Sequence, residues 1–404
     1  MISDADIARI RAGIPALKNY VWFQNGGVSV TPSDIASVHS CLMQELLDRG
    51  PMHIIYPGEE LPRRARTMAK LADFFGVSPG ELSLMRGVSD GYQTILRGLE
   101  WRAGDQVIIT AEEEAALYVP TLHLRDTHGV ELIKLPLIAD PERQVQALTD
   151  RLTERTRLVA LSHVTTDLGF RLPIREICEV ARRRGVLTFV DLAHSAGLFP
   201  INLRELGADF AGMLSYKWMY SPYTAGALYL RQERLNDIKV VYAGGRAEAW
   251  FDNKADAFAL KDTAERFQYG PWSWPLVHAW AAGADYLCDI GLDNIWSRTA
   301  AMTSRLKGLL SEIPKVTLYT PMSPELSASL VSFGVAGWNG DDLAAALRSR
   351  WNIMIKALYL SGNGLRASIP FFALDEEIEL LAEAIQTLST EGNRASAVGL
   401  VNSQ

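Results

Sequence analysis

The sequence predicts an α/β protein: a large domain built on a mostly parallel β-sheet covered by helices, followed by a smaller α+β domain. Three observations lead there. Between Val107 and Val190, short β-rich apolar runs alternate with amphipathic helical stretches. From Pro275 the alternation gives way to two long helical stretches and then to sparser strands. The chain has 404 residues, 48% hydrophobic and 22% charged, enough apolar content for two or more domains with a large core.

The elements follow in order. A helical run, Tyr92 to Leu99, comes first. Val107–Thr110, Glu131–Leu135, Leu158–Ser162 and Leu187–Val190 read as buried strands, being short apolar runs rather than polar–apolar alternations. Helical stretches over Gln144–Leu152 and Ile174–Arg184 separate them, which is the strand–helix–strand order of a parallel sheet. Asp209–Leu214 is a further strand after the turn at Gly207, and Ala225–Leu230 an antiparallel one. Two helices run from Pro275 to about Ile313, joined near Gly291. Then come strands Val316–Tyr319 and Leu330–Phe333, a helix Asp341–Arg350, and strands Ile353–Ile355 and Leu365–Ile369. The last helix opens on Asp375-Glu376-Glu377, carboxylates that suit the positive end of a helix dipole. The tail after Glu391 is polar and expected to fray. The resulting division is an N-terminal arm over 1–20 packing with the small domain, a large domain over 21–274, and connecting helices plus a small domain over 275–404. No internal repeat or low-complexity tract interrupts it.

Composition excludes several functions. A net charge of −7 argues against nucleic acid as a partner, and Arg182-Arg183-Arg184 reads as the solvated end of a helix. No apolar run reaches the roughly 18 residues that span a membrane. The acidic start, Met1 to Asp6, lacks a signal-peptide pattern, so a cytoplasmic location is expected. Cys41, Cys178 and Cys288 are far apart, show no metal spacing and read as small core hydrophobes; no metal is expected. No Gly-x-Gly-x-x-Gly turn follows a strand, which excludes a plain dehydrogenase.

The chemistry lies in Val190-Asp191-Leu192-Ala193-His194 and Leu214-Ser215-Tyr216-Lys217-Trp218. An Asp ending one apolar strand and a Lys ending the next is what a pyridoxal phosphate site requires. The amine forms a Schiff base to the cofactor aldehyde. The carboxylate keeps the pyridine nitrogen protonated, so that the ring draws electrons from the substrate. Upstream, Met85-Arg86-Gly87-Val88-Ser89-Asp90-Gly91 precedes a helix. Free N–H groups of Val88, Ser89 and Asp90, with the Ser89 hydroxyl, suit a dianionic phosphate, although Ser-Asp before a helix is also an ordinary cap.

These motifs, in this order, resemble the class V aminotransferase-like group of fold-type I pyridoxal phosphate enzymes, from Phe23-Gln24-Asn25-Gly26-Gly27 to the Arg366 region. That group includes cysteine desulfurases, isopenicillin N epimerase-like enzymes and kynureninases. The resemblance implies a homodimer with active sites at the interface. It makes Lys217 the Schiff-base residue and Cα base, Asp191 the pyridine-nitrogen partner, His194 a neighbour of the cofactor's phenolic oxygen or of the substrate, and Thr166 a neighbour of that same oxygen. Ser215 and Tyr216 would add hydroxyls to the phosphate. Arg366, in Gly364-Leu365-Arg366-Ala367-Ser368, matches the substrate-carboxylate anchor, its planar fork suited to a bidentate grip. Asn25, Gly27, Tyr118 and Trp272 fall where substrate is bound.

Two departures stand out. Relatives carry a Gly-Thr pair that touches the phosphate of the other subunit. Here the stretch is Gly270-Pro271-Trp272-Ser273, with Ser273 the substitute hydroxyl. Relatives also place a His or aromatic residue over the cofactor ring near Glu114. Three readings of Glu114 stay open: an extra acid or base, a bystander while Tyr118 supplies the ring contact, or part of a Glu run capping the following helix.

Desulfurases need a nucleophilic Cys on the loop before the anchoring Arg. Trp351 to Arg366 contains none, and Tyr359-Leu360-Ser361-Gly362-Asn363 stands there instead. The first expectation is therefore C–S β-elimination, or related side-chain cleavage, of a cysteine-type conjugate through a Cα carbanion, in secondary metabolism. Epimerase, aminotransferase or decarboxylation-linked deaminase chemistry is the alternative. A non-catalytic cofactor-binding scaffold is the third reading, against which Lys217, Asp191 and Arg366 together stand.

Overall fold

The computed structural model describes residues 2–392. The chain divides into two compact units: Thr31–His163 with Leu172–Leu292, and Met1–Val30 with Val164–Arg171 and Asp293–Gln404. Against the linear division into 1–20, 21–274 and 275–404, the packing places the helix at Trp274–Ile290 with the larger unit. It also assigns an eight-residue excursion from the middle of the chain, Val164–Arg171, to the smaller one.

The larger unit opens with helices α1 (Ser33–Arg49) and α2 (Pro57–Phe74). There follow β1 (Leu82–Met85), α3 (Val88–Gly98), β2 (Gln106–Thr110), α4 (Ala115–His128), β3 (Glu131–Leu135), α5 (Pro141–Thr149), β4 (Thr156–Ser162), α6 (Ile174–Arg183), β5 (Leu187–Asp191), β6 (Phe210–Leu214), β7 (Gly226–Leu230) and α7 (Trp274–Ile290). The strands form one sheet in the order β1-β7-β6-β5-β4-β2-β3. All run the same way except β7, which is antiparallel to both neighbours. The expected parallel sheet and its antiparallel strand at 225–230 are both present. Parallel neighbours need a crossover, and a helix lies in each one from β2 to β6, the last being the short turn Leu203–Leu206.

Strands β2, β6 and β7 are buried throughout. Edge strand β3 exposes Glu131 and Lys134, charges that discourage further strand pairing. The core joins Tyr92, Ile95 and Leu96 of α3 to Ile109, Leu158, Phe189, Phe210 and Leu228 of the sheet. Cys178 is buried on α6 as expected, but Cys41 and Cys288 are exposed. Each helical residue turns about 100° from the last, so Cys288 faces solvent just beyond buried Leu287. Cys41 lies on α1, whose buried residues come down to Ile35.

The smaller unit holds α8 (Leu292–Ser311), β10 (Val316–Leu318), β11 (Leu330–Val335), α9 (Gly340–Trp351), β12 (Lys356–Ala357), β13 (Leu365–Ser368) and α10 (Asp375–Glu391), with β8 (Glu248–Asp252) and β9 (Ala257–Leu260) forming a separate hairpin in the larger unit. Its sheet is antiparallel, in the order β10-β11-β13-β12. Met302, Leu306, Val331, Phe333, Leu347, Leu381 and Ile385 fill the core. The N-terminal segment belongs here: Val21–Trp22 pairs with Ile353–Met354, and Arg11 grips Glu377 at 2.7 Å. The expected strand over 353–355 is thus shortened to Ile353–Met354, and β12 begins separately at Lys356. The tail after Glu391 lies outside the described residues beyond Gly392. Among the described residues, no helix is long and apolar enough to cross a membrane.

Gly226 is a tight point beneath the sheet's carboxyl edge. A Cβ there would lie 2.5 Å from the Met213 carbonyl oxygen and 2.9 Å from Gly87 Cα. Both obstacles are backbone. Gly226→Ala is therefore expected to cost about 1–3 kcal/mol, read as a lower melting temperature, with the Gly87 turn as the displaced neighbour.

Candidate active site

Strands that run together deliver their carboxyl ends to one edge of the sheet, where open α/β sheets bind ligands. At this edge β1 leads into the Arg86-Gly87 turn, β2 into Glu112-Glu113-Glu114, β5 ends on Asp191, and β6 leads into Ser215-Tyr216-Lys217.

The Gly87 turn adopts φ 155° and ψ −169°, a backbone that side chains rarely tolerate, and this swings the chain into α3. The first N–H groups of any helix have no carbonyl one turn back, so Val88, Ser89 and Asp90 open on an anion site. Asp90 is turned to Arg86, with Oδ1 3.0 Å from Nη2 and Oδ2 accepting the Arg86 N–H at 3.2 Å.

Asp191 is buried. Its Oδ1 accepts the Ala193 N–H at 2.7 Å, and its carbonyl accepts the His163 N–H at 2.9 Å. Burial pushes its carboxyl up to about 6, against the pull of the Ala193 hydrogen bond and the charge of Lys217; nearby Glu114 adds to the upward push. A cation at this carboxylate would reverse that penalty. Lys217 Nζ lies 3.2 Å from His194 Nε2, and both side chains are buried. A cavity of about 660 Å³ is lined by Gly87, Val88, Ser89, Glu114, Asp191 and Lys217 among others. One space thus holds an amine, a carboxylate that favours a cationic partner, and a helix N-terminus for an anion. That donor set fits pyridoxal phosphate.

The structure distributes the other expected residues. Tyr216 lines the same cavity, its ring stacked on Tyr223 at 4.6 Å. The Ser215 hydroxyl donates instead to the Pro222 carbonyl, and the Ser215 N–H donates to the Ala225 carbonyl, so Ser215 shapes the Lys217 loop. Glu114 caps α4 through its backbone carbonyl, which accepts from Leu117 and Tyr118, while its carboxylate makes no cap bond and lines the cavity. The Tyr118 ring packs over Lys134 at 4.9 Å rather than lining that cavity. Gly270, Trp272 and Ser273 line a different cavity of about 500 Å³, with His53 and Trp274. In the smaller unit, Asn25 is buried beside β13, where its N–H meets the Ser368 carbonyl, and Gly27 closes a turn onto Gln24. Arg366 is buried in β13, and its Nη1 donates to the Thr166 carbonyl at 2.6 Å and Oγ1 at 3.2 Å.

Sequence reasoning missed Glu113. It is buried and accepts from the Ser162 N–H at 3.0 Å, Ser162 Oγ at 2.7 Å and Thr110 Oγ1 at 2.7 Å, so one carboxyl clamps the ends of β2 and β4. Ser162 pairs in register with Asp191. Burial, offset by these hydrogen bonds, pushes Glu113 up to about 7. A Thr ending a strand just before a run of Glu was the available signal, but it does not separate Glu113 from Glu112 and Glu114.

Comparison with known proteins agrees with this geometry. The signature described as "Aminotransferase class-V" matches residues 63–381. A probable cysteine desulfurase of Methanothermobacter thermautotrophicus is 26% identical over 403 residues, covering 95% of this chain and 98% of the relative. Isopenicillin N epimerase of Streptomyces clavuligerus is 29% identical over 338 residues, covering 80% and 83%. Among solved structures, the apo cysteine desulfurase of Thermococcus onnurineus NA1 superposes with a TM-score of 0.87 at 24% identity, covering 95% and 98%. A cystine C–S lyase in complex with cysteine persulfide superposes at 0.85, also 24% identical, covering 92% and 99%. The chain belongs to the class V aminotransferase family, on the fold-type I architecture. It is a pyridoxal phosphate-dependent enzyme.

The raised Glu113 carboxyl makes stability depend on pH. The unfolded chain releases this proton near 4.5 and the folded protein near 7, so the group's contribution is complete below about 4.5 and lost as pH rises through about 7. Thermal melts of the cofactor-free protein should therefore show Glu113→Gln gaining on the wild type between pH 5 and pH 8. A constant difference across that range would contradict the assignment.

Proposed function

We propose that the enzyme cleaves the C–S bond of a cysteine-type amino acid by β-elimination, giving pyruvate, ammonia and a thiol or persulfide. The observation that carries this reading is the site around Lys217 combined with a thiol-free loop, Tyr359–Asn363, before Arg366. Sulfur transfer through an enzyme cysteine needs a thiol on that loop. Release of the sulfur fragment does not.

Lys217 would hold the cofactor's aldehyde carbon, Asp191 its pyridine nitrogen, and the N–H groups of Val88 to Asp90 its phosphate. When bound, the cofactor supplies an electron sink for the pair left at Cα. Lys217 would take the Cα proton, and His194, whose Nε2 lies 3.2 Å from Lys217 Nζ, would share it. Arg366 anchors the substrate carboxylate. Breaking Cα–H and Cβ–S expels the thiolate, which leaves protonated, and water then releases pyruvate and ammonia. Glu114 is the further carboxylate at the cavity wall and a candidate to protonate the leaving sulfur. The 29% identity to an epimerase favours a second reading, in which the proton returns to the opposite face of Cα.

Homodimerisation is part of the proposal. Met43, Leu46 and Leu47 on α1 and Ile54 and Ile55 just beyond it are exposed, and Met43, Leu46, Gly270, Trp272 and Ser273 line one cavity, a surface suited to a second copy. The cytoplasmic setting and secondary-metabolic role belong to the same proposal.

Titration with L-cystine and S-alkyl-L-cysteines tests the reaction: pyruvate with an equimolar thiol or persulfide is expected, whereas an inverted amino acid moves the assignment to epimerisation. Lys217→Ala should abolish turnover and the visible absorbance of lysine-linked cofactor. Arg366→Ala should raise KM for amino acids at least tenfold, about 1.4 kcal/mol. An equal loss for the decarboxylated amines would place the anchor elsewhere.

A further inference from the structure

In the smaller unit, one carboxylate oxygen gathers three successive amides. Asp167 Oδ2 accepts the N–H groups of Tyr359 at 3.2 Å, Leu360 at 2.7 Å and Ser361 at 3.0 Å, and Asp167 is completely buried. Consecutive N–H groups converging on one point form an anion nest, and here the protein fills it with its own side chain.

The residue before it, Thr166, holds Arg366 through both its carbonyl and its hydroxyl. The dipeptide Thr166-Asp167 thus fixes a strand arginine and a loop that ends just before it. It is itself fixed: the Ser332 hydroxyl donates to the Asp167 carbonyl, and Thr320 Oγ1 donates to the Leu168 carbonyl at 2.7 Å. The loop is closed by Leu358 N–H on the Gly364 carbonyl at 2.9 Å. Asn363 secures its far side, accepting the Gly340 N–H at 2.7 Å and donating to the Trp338 carbonyl at 2.7 Å. Gly364 leaves no slack, since a Cβ there would lie 2.3 Å from the Phe333 carbonyl oxygen.

We propose that Asp167 is a specificity-determining positioning residue: through its hold on the amides of Tyr359–Ser361, and with Thr166 on Arg366, it sets the carboxylate anchor and the loop beside it in one fixed arrangement. This rests on the reading of Arg366 as the carboxylate anchor. A loop so pinned cannot swing a group toward the reacting atoms. It suits a substrate that is gripped by its carboxylate and whose sulfur fragment needs no nucleophile from this loop.

The experiment compares wild type, Asp167→Ala, Asp167→Asn and Arg366→Lys. Two readouts are used: amide hydrogen exchange at 359–361 in the holoenzyme, and dissociation constants for L-alanine and ethylamine from cofactor absorbance. L-Alanine carries the carboxylate but no leaving group, and ethylamine lacks the carboxylate. Asp167→Ala should speed exchange at the three amides at least tenfold and weaken L-alanine about tenfold, leaving ethylamine within twofold. Asp167→Asn keeps a neutral oxygen acceptor and should fall between. If Asp167→Ala does not fold, Asp167→Asn alone carries the comparison, and no change in exchange or L-alanine affinity overturns the proposal. Unaltered L-alanine affinity in Asp167→Ala, with weakened affinity in Arg366→Lys, overturns it while the anchor stands. If neither variant loses L-alanine, the anchor reading fails and this inference with it. Parallel losses for L-alanine and ethylamine reduce Asp167 to a structural role and also overturn it.

Discussion

The larger unit is organised around a carboxylate kept out of water at the end of a central strand. Asp191 is buried, and one backbone N–H at 2.7 Å with the charge of Lys217 supplies only part of what water would. Such a group is held, not relaxed. Strand β5 has β4 on one side and β6 on the other, so its last residue cannot drift from Ser162 or from the start of the Lys217 loop. The residual penalty is the useful part, because a cationic group brought beside the carboxylate would remove it. The sheet's direction does the rest, delivering the helix N-terminus at Val88, the Glu run and the lysine to the same edge.

Support for that edge comes from side chains that do not face the cavity. Glu113 joins the ends of β2 and β4 through Thr110 and Ser162. The Ser215 hydroxyl fastens the Lys217 loop to Pro222. Gly226 and Gly87 let β7 and the phosphate-type turn approach where a methyl group would not fit. The side chains that face the cavity are few, and the geometry that holds them is spread over most of the sheet.

Much of this was legible in the sequence because the chemistry demands rare residue types at strand ends. Asp191 and Lys217 each follow an apolar run, and nothing in an ordinary core asks for an acid and an amine there. Fully buried strands announce themselves by unbroken apolar runs. Other features carry no such signature. The helix at 33–49 buries only Ile35, so its pattern is weak. Glu112 and Glu113 are both buried, and which of them clamps the strand ends is a matter of a single backbone turn after β2. The positions of Tyr118 and Ser215 depend on rotations that residue type does not encode. Most hidden was Val164–Arg171. It lies between a strand and a helix of the larger unit, yet its hydrogen bonds run to Leu326, Ala328 and Thr320 of the smaller one.

That excursion, with the pairing of Val21–Trp22 onto Ile353–Met354, has a consequence for how the chain is made. The smaller unit is assembled from the beginning, the middle and the end of the polypeptide. On the ribosome, its first strand must wait for more than 300 residues of synthesis before its partner emerges, and contacts so distant in sequence form slowly. The larger unit needs nothing beyond Leu292 for its own strands and helices. Synthesis order therefore lets the sheet with Asp191 and Lys217 form first, while the unit that carries Arg366 is completed only as the last helix leaves the exit tunnel.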